Sequence, residues 1–138
     1  MKVHLKRINE DVLMEAENEE GHRVRIDGSQ AIGGIGGGFR PMQLVLVALG
    51  GCSAIDVTGI LKKQRQNLTG LSITVEGERD SGEIPSVFNR IHLHYTLTGD
   101  LDRRKVEKAL HLGIIKYCSV SEILNKTAHI TYSYEIRE

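Results

Sequence analysis

The chain has 138 residues, 40% of them hydrophobic and 26% charged, and its 18 basic and 18 acidic side chains balance to a formal charge of zero. That size and composition fit one soluble domain over residues 1–138, large enough to bury a core without disulfides. The neutral balance gives no electrostatic footprint for nucleic acid or anionic lipid, and aromatics at 4% with no Trp leave few platforms for stacking bases.

The N-terminal third alternates apolar and polar residues. Val3, Leu5 and Ile8, then Val12, Met14 and Ala16, then Val24 and Ile26 predict three short strands over 2–8, 11–18 and 21–27. Asn18-Glu19-Glu20-Gly21 marks the turn between the second and third. Residues 28–40 read as a mobile connector crowded with Gly33, Gly34, Gly36, Gly37 and Gly38. It is not a phosphate loop, because no Gly-Lys-Ser or Gly-Lys-Thr follows and Phe39 stands where a GxGxxG motif needs its last glycine.

Pro41 opens the main helix, at the position where proline is favoured. Residues 42–61 are almost wholly apolar, with Asp56 the only charge. The length raises a membrane span. Gly50-Gly51-Cys52-Ser53 in the middle and the carboxylate of Asp56 argue instead for a helix that protein surrounds, with no membrane. Lys62, Lys63 and Arg65 suit the negative end of its dipole, and Asn67 and Gly70 read as stop signals. Two alternating strands follow over 71–76 and 91–97, joined by a connection holding Gly82 and Pro85. Asp102 is a candidate N-cap for a helix with an apolar stripe of Val106, Ala109, Leu110, Gly113 and Ile114. Ser119-Val-Ser-Glu122 matches a capping box and opens a short helix to about Lys126. Residues 128–136 alternate as a last strand. The order β-β-β-α-β-β-α-α-β is an α+β fold. One small sheet covers only one side of the apolar helix, so a second copy of the chain is expected on the other side.

Cys52 and Cys118 are the only thiols. Two cysteines support neither a disulfide scaffold nor a four-cysteine zinc site. The first residues lack the apolar core of a signal peptide, and a reducing, cytoplasmic setting is expected. Cys52 follows two glycines in mid-helix, which marks either a helix crossing beside a buried thiol or a close approach of backbone or ligand. Cys118 immediately precedes the expected N-cap Ser119. There it either packs under the turn or faces unpaired N–H groups that lower its pKa. Together the two form a candidate redox couple, one thiol oxidised and the other resolving the sulfenic acid. Asp56, one helical turn after Cys52, either hydrogen-bonds a neighbouring turn or acts on a proton at the thiol. His92 and His94 share one face of a strand without an evident third ligand, so they read as solvated strand residues and no metal is expected.

The segment PMQLVLVALGGCSAID (41–56) resembles the cysteine helix of the OsmC/Ohr family, and KYCSV (116–120) resembles that family's second cysteine motif. The likeness covers essentially the whole chain and is closest to the YhfA-like branch. It implies an intertwined homodimer with long apolar helices buried between two wrapped sheets. It also implies a thiol-dependent peroxidase acting on organic hydroperoxides, and sometimes hydrogen peroxide, without metal, haem or flavin. By the same resemblance Cys52 is the peroxidatic thiol, Cys118 the resolving thiol, and a dithiol the reductant. The peroxidase branches carry Glu directly after the helix-opening proline, and an Arg from the N-terminal sheet supports the thiolate. Here Met42 and then Gln43 follow the proline, and Arg7, Arg23, Arg25 and Arg40 all compete for the cation's part. Arg40 and Asp56 are the expected thiolate-supporting groups. The alternative is a non-catalytic dimer whose pocket, made more apolar by Met42, holds a small apolar ligand.

Overall fold

Two asparagine side chains shape the turns of the first sheet. Strands β1 (Val3–Arg7), β2 (Met14–Asn18) and β3 (Arg23–Ile26) pair antiparallel in the order β1-β2-β3. Asn9 Oδ1 accepts from the backbone N–H of Asp11 at 2.9 Å and of Leu13 at 3.2 Å. That side-chain closure takes the residues after it out of the ladder, so β2 begins at Met14 rather than at residue 11. Asn18 Oδ1 likewise takes Glu20 N–H at 3.0 Å and His22 N–H at 2.9 Å. Gly21 between them has φ +88°, a conformation that favours glycine. The register sets Glu15 opposite Arg25 and Glu17 opposite Arg23, pairs of opposite charge that favour it.

The glycine-rich loop is organised, not a bare connector. Asp27, 2% exposed, accepts from Gly28 N–H at 2.9 Å with one oxygen, and from Ile35 N–H at 2.9 Å and Gly37 N–H at 3.0 Å with the other. The hydrogen bonds from Gly37 and Ile35 hold its carboxyl below the usual carboxylate range, against the upward push of burial, and the Arg40 charge adds to the lowering. A turn of 3-10 helix, Gln30–Ile32, lies within the loop. A Cβ on Gly34 would stand 1.9 Å from the Gly28 carbonyl oxygen, so only glycine lets the loop fold back this tightly.

The computed structural model describes residues 1–138 as two compact units, Met1–Val45 and Leu46–Glu138. Helix α1 (Pro41–Lys63) starts at the proline and continues into the second unit. Its end is set by Arg65, not by Asn67 or Gly70. Arg65 takes φ +57°, its N–H reaches the Lys62 carbonyl at 3.0 Å, and Gln66 N–H reaches the Leu61 carbonyl at 2.9 Å. This is a Schellman closure with arginine where glycine usually sits. Asn67 already opens the next strand.

Strands β4 (Asn67–Arg79) and β5 (Phe88–Asp100) form an antiparallel hairpin, and β6 (His129–Arg137) lies parallel to β5, in the order β4-β5-β6. The hairpin strands outrun their alternating cores because backbone pairing continues past them. Along β5, Ile91, Leu93, Tyr95 and Leu97 point inward while His92, His94 and Thr96 point to the other face. Asp102 caps α2 (Arg103–Leu110) as expected, accepting Lys105 N–H at 3.1 Å. The helix then passes into a π-helical segment, His111–Lys116, where the sequence pattern predicts plain α-helix, and α3 (Ser119–Leu124) follows. Leu49, Val57 and Leu61 of α1, Leu93 and Leu97 of β5 and Leu110 of α2 are at most 1% exposed. Burying each such side chain stabilises by about 1.5–3 kcal/mol relative to leaving it in water.

Helix α1 is long and apolar enough to cross a membrane, yet Leu49, Gly50, Ser53, Val57 and Leu61 make a buried stripe along it. The rest is not surrounded by this chain. Val47 and Ile55 remain 51% and 76% exposed.

Candidate active site

Cys52 lies on α1 and is half-buried, whereas Cys118 is 2% exposed, and both are free thiols. The two glycines before Cys52 differ in surroundings. Gly50 is pressed against β4, where an added Cβ would come 3.1 Å from Val75 Cγ2, while Gly51 faces open space. The tight crossing involves a different glycine. A Cβ on Gly113 in the π-helical segment would stand 2.6 Å from Val57 Cγ2 and 3.4 Å from the Ser53 carbonyl oxygen. This crossing lets the segment that leads into Cys118 lie directly on the α1 turn that carries Cys52. A π turn at such a place is a common mark of a functional site.

The start of α3 departs from the expected capping box. The N-cap is Cys118 itself, in extended backbone, with its Sγ accepting Ser121 N–H at 3.3 Å. Glu122 does not reach back; it pairs with Lys126 at 2.9 Å and accepts from Asn125 at 3.3 Å. Of the two readings of Cys118, packing under the turn is the one that governs its pKa. Burial pushes the thiol from its ordinary 9.0 to about 11; the Ser121 N–H pulls the other way, and the Cys52 thiol alongside adds to the rise. Desolvation outweighs the helix-end donors. Cys118 therefore keeps its proton at neutral pH.

Beside the thiols lies a polar pair that sequence patterns did not single out. Ser53 and Tyr95 are both 0% exposed, and their hydroxyls share a short hydrogen bond. Burial raises Tyr95 from 10.0 to about 12, opposed by the Ser53 hydrogen bond and reinforced by the nearby charges of Cys118, Asp56 and Cys52. The signal was present. An inward tyrosine on an alternating strand needs a buried partner for its hydroxyl, and a lone serine in an apolar helix offers one. Asp56 is half-buried and its carboxylate makes no hydrogen bond to a neighbouring turn.

The candidate arginines all belong to the N-terminal unit. Arg7 donates to the Glu10 carbonyl at 3.3 Å, Arg23 pairs with Glu17 at 3.5 Å, and Arg25 pairs with Glu15 at 3.7 Å. The Arg40 backbone N–H donates to Gln43 Oε1 at 2.9 Å, and its charge acts on Asp27. Met42 is half-buried at the second position of α1. His92 and His94 are not simply solvated. Ser133 Oγ bridges them, at 2.8 Å from His92 Nε2 and 2.7 Å from His94 Nδ1, on the sheet face opposite Tyr95.

Known proteins share this architecture. A family model described as OsmC-like protein matches residues 34–133. Protein YhfA of Escherichia coli strain K12 is 41% identical over 121 residues, covering 87% of each chain. A crystal structure of a hypothetical protein from Aquifex aeolicus VF5 superposes with a TM-score of 0.81 at 28% identity, over 99% of this chain and 97% of that one. The organic hydroperoxide resistance protein OsmC from Legionella pneumophila superposes with a TM-score of 0.71 at 19% identity, over 98% and 97%. The β3-α-β2-α2-β order, the two cysteine motifs and the extent of these matches lead to one assignment: the chain belongs to the OsmC family of proteins.

Proposed function

We propose that the chain is a cytoplasmic, homodimeric thiol peroxidase that reduces organic hydroperoxides through Cys52 and Cys118. One observation carries this reading: a half-exposed thiol stands beside a buried thiol that keeps its proton. That asymmetry suits two unequal roles. In the proposed cycle the Cys52 thiolate attacks the peroxide, the O–O bond breaks, and Cys52 becomes a sulfenic acid while the alcohol leaves with a proton. The Cys118 sulfur then attacks the sulfenic sulfur. A disulfide forms, and the displaced hydroxyl leaves as water with the Cys118 proton. A dithiol reduces the disulfide and is itself oxidised to one. The name of the Legionella relative supports the substrate class. The exposed apolar face of α1, with Val47 and Ile55, supports a second copy as the partner.

The test is direct. The reduced protein, freed of reductant, receives one equivalent of cumene hydroperoxide or hydrogen peroxide, and thiol content and intact mass are followed over seconds to minutes. Loss of two hydrogens mapped to Cys52 and Cys118 is the expected result. Cys52→Ser abolishes turnover, and Cys118→Ser undergoes one oxidation and stalls. Full turnover in Cys52→Ser overturns the assignment. Thiols that stay free for many minutes move it to the apolar-ligand reading that Met42 favours.

A further inference from the structure

The Ser53–Tyr95 pair has a direction that the hydroxyl protons dictate. Ser53 Oγ has one hydrogen and donates it to the Gly50 carbonyl at 3.1 Å. The Tyr95 hydroxyl is therefore the donor in the bond to Ser53 Oγ. This chain of donors runs from β5 into the α1 turn 50–53, the turn that carries Cys52. The same turn is gripped elsewhere. Gly50 lies against Val75 of β4, and the Ser53 carbonyl lies against Gly113 of the segment leading to Cys118. Ser53 thus joins three bodies: the sheet, the Cys52 turn and the Cys118 approach.

We propose that Tyr95 and Ser53 are positioning residues that hold the Cys52 turn within disulfide-forming range of Cys118. The inference rests on the paired-thiol reading above, but on its geometry and not on peroxide as oxidant. A disulfide tolerates little error, with Cα separations confined to about 4.4–6.8 Å. A helix turn free to shift against the sheet would spend less time in that range, and the effective concentration of one thiol at the other would fall. Both side chains are fully buried, so bulk solvent does not reach the bond to replace the tyrosine hydroxyl.

The experiment brings the protein to equilibrium in glutathione buffers of graded redox potential and reads the disulfide fraction by alkylation and intact mass. That fraction gives the effective concentration of the thiol pair in the folded protein. A substitution that weakens reduced and oxidised forms equally leaves it unchanged, whatever happens to melting temperature. Tyr95→Phe and Ser53→Ala are each expected to lower it at least fivefold, and the double variant falls no further than the worse single, because the two hydroxyls act as one unit. Leu97→Val, on the same strand but not in contact with that turn through a hydroxyl, stays within twofold of the wild type. If Tyr95→Phe and Ser53→Ala melt earlier yet stay within twofold, the pair is merely structural and the proposal is overturned. If Tyr95→Phe fails to fold, Ser53→Ala decides alone. A wild type that forms no internal disulfide in any buffer also overturns it. A wild type that forms the disulfide with glutathione but not with peroxide, and whose variants lower it, upholds the positioning and removes the peroxidase reading.

Discussion

Cys118 should be nearly unreactive toward alkylating reagents in the folded protein. Burial raises its thiol from 9.0 to about 11. At pH 8 an ordinary thiol ionising at that reference value is about 9% thiolate, and one ionising near 11 is about 0.1%, so ionisation alone slows Cys118 roughly a hundredfold. Steric cover at 2% exposure slows it further. The same shift carries a stability consequence. Between pH 9 and 11 the unfolded chain has lost the Cys118 proton and the folded chain retains it, so stability falls as pH rises. The thiol's share of that fall is about 2–3 kcal/mol in all, at 1.36 kcal/mol per pH unit. Tyr95 adds its own decline between pH 10 and about 12, so the thiol's part is read as the difference between the wild type and Cys118→Ala. Isotope-coded iodoacetamide labelling at pH 8, resolved by mass spectrometry, tests reactivity, and urea unfolding at stepped alkaline pH tests stability. Cys118 labelling as fast as Cys52, or a wild-type-to-Cys118→Ala difference that stays flat from pH 9 to 11, refutes the argument.

Three further outcomes follow from named contacts. Gly113→Ala destabilises, because its Cβ would meet Val57 Cγ2 at 2.6 Å and Val57 N at 3.1 Å. An overpacking cost of about 1–3 kcal/mol outweighs the gain of about 1 kcal/mol from removing a helical glycine. Urea unfolding should show a net loss of up to about 2 kcal/mol, and a more stable variant contradicts the packing reading. Asp27→Asn replaces one acceptor oxygen of a carboxylate that takes three N–H groups, so the amides of Ile35 and Gly37 exchange with deuterium at least tenfold faster while β5 amides do not. In the wild type that loop's stabilisation is present above pH 3.8 and lost as pH falls through the depressed folded value; amide exchange that ignores both changes counts against it. Ile55→Lys places a charge on the exposed apolar face of α1 and should convert the proposed dimer to monomer in sedimentation velocity, whereas an unchanged dimer assigns the interface elsewhere.

Much of this molecule was readable one residue at a time. Pro41 and the run to residue 61 mark α1 because proline placement and apolar length act locally. Asp102 marks the start of α2 because a cap is a contact with the helix's own next turn. The two cysteine motifs, read together, led to the family by resemblance. The departures share a different origin. Arg65 ends α1 in a left-handed conformation that no pattern assigns to arginine, since the sheet that begins at Asn67 sets the path of the chain. The π-helical segment and the role of Gly113 depend on how closely α1 lies against it.

Cys118 is the sharpest of these. Its neighbours in sequence point to a helix and an N–H donor, but they leave open whether packing under the turn or those donors govern its pKa. A donor can be inferred from neighbours in sequence. The desolvation that opposes it is summed over everything packed around the sulfur, including Cys52, which sequence leaves far away. For the same reason the Ser53–Tyr95 bond is invisible in either residue alone. Sequence determined which residues form strands and helices and which thiols are available, because those are local preferences. The tertiary structure alone decided which thiol is buried, which keeps its proton and which hydroxyls hold the Cys52 turn, because burial and hydrogen-bond pairing exist only once distant segments meet.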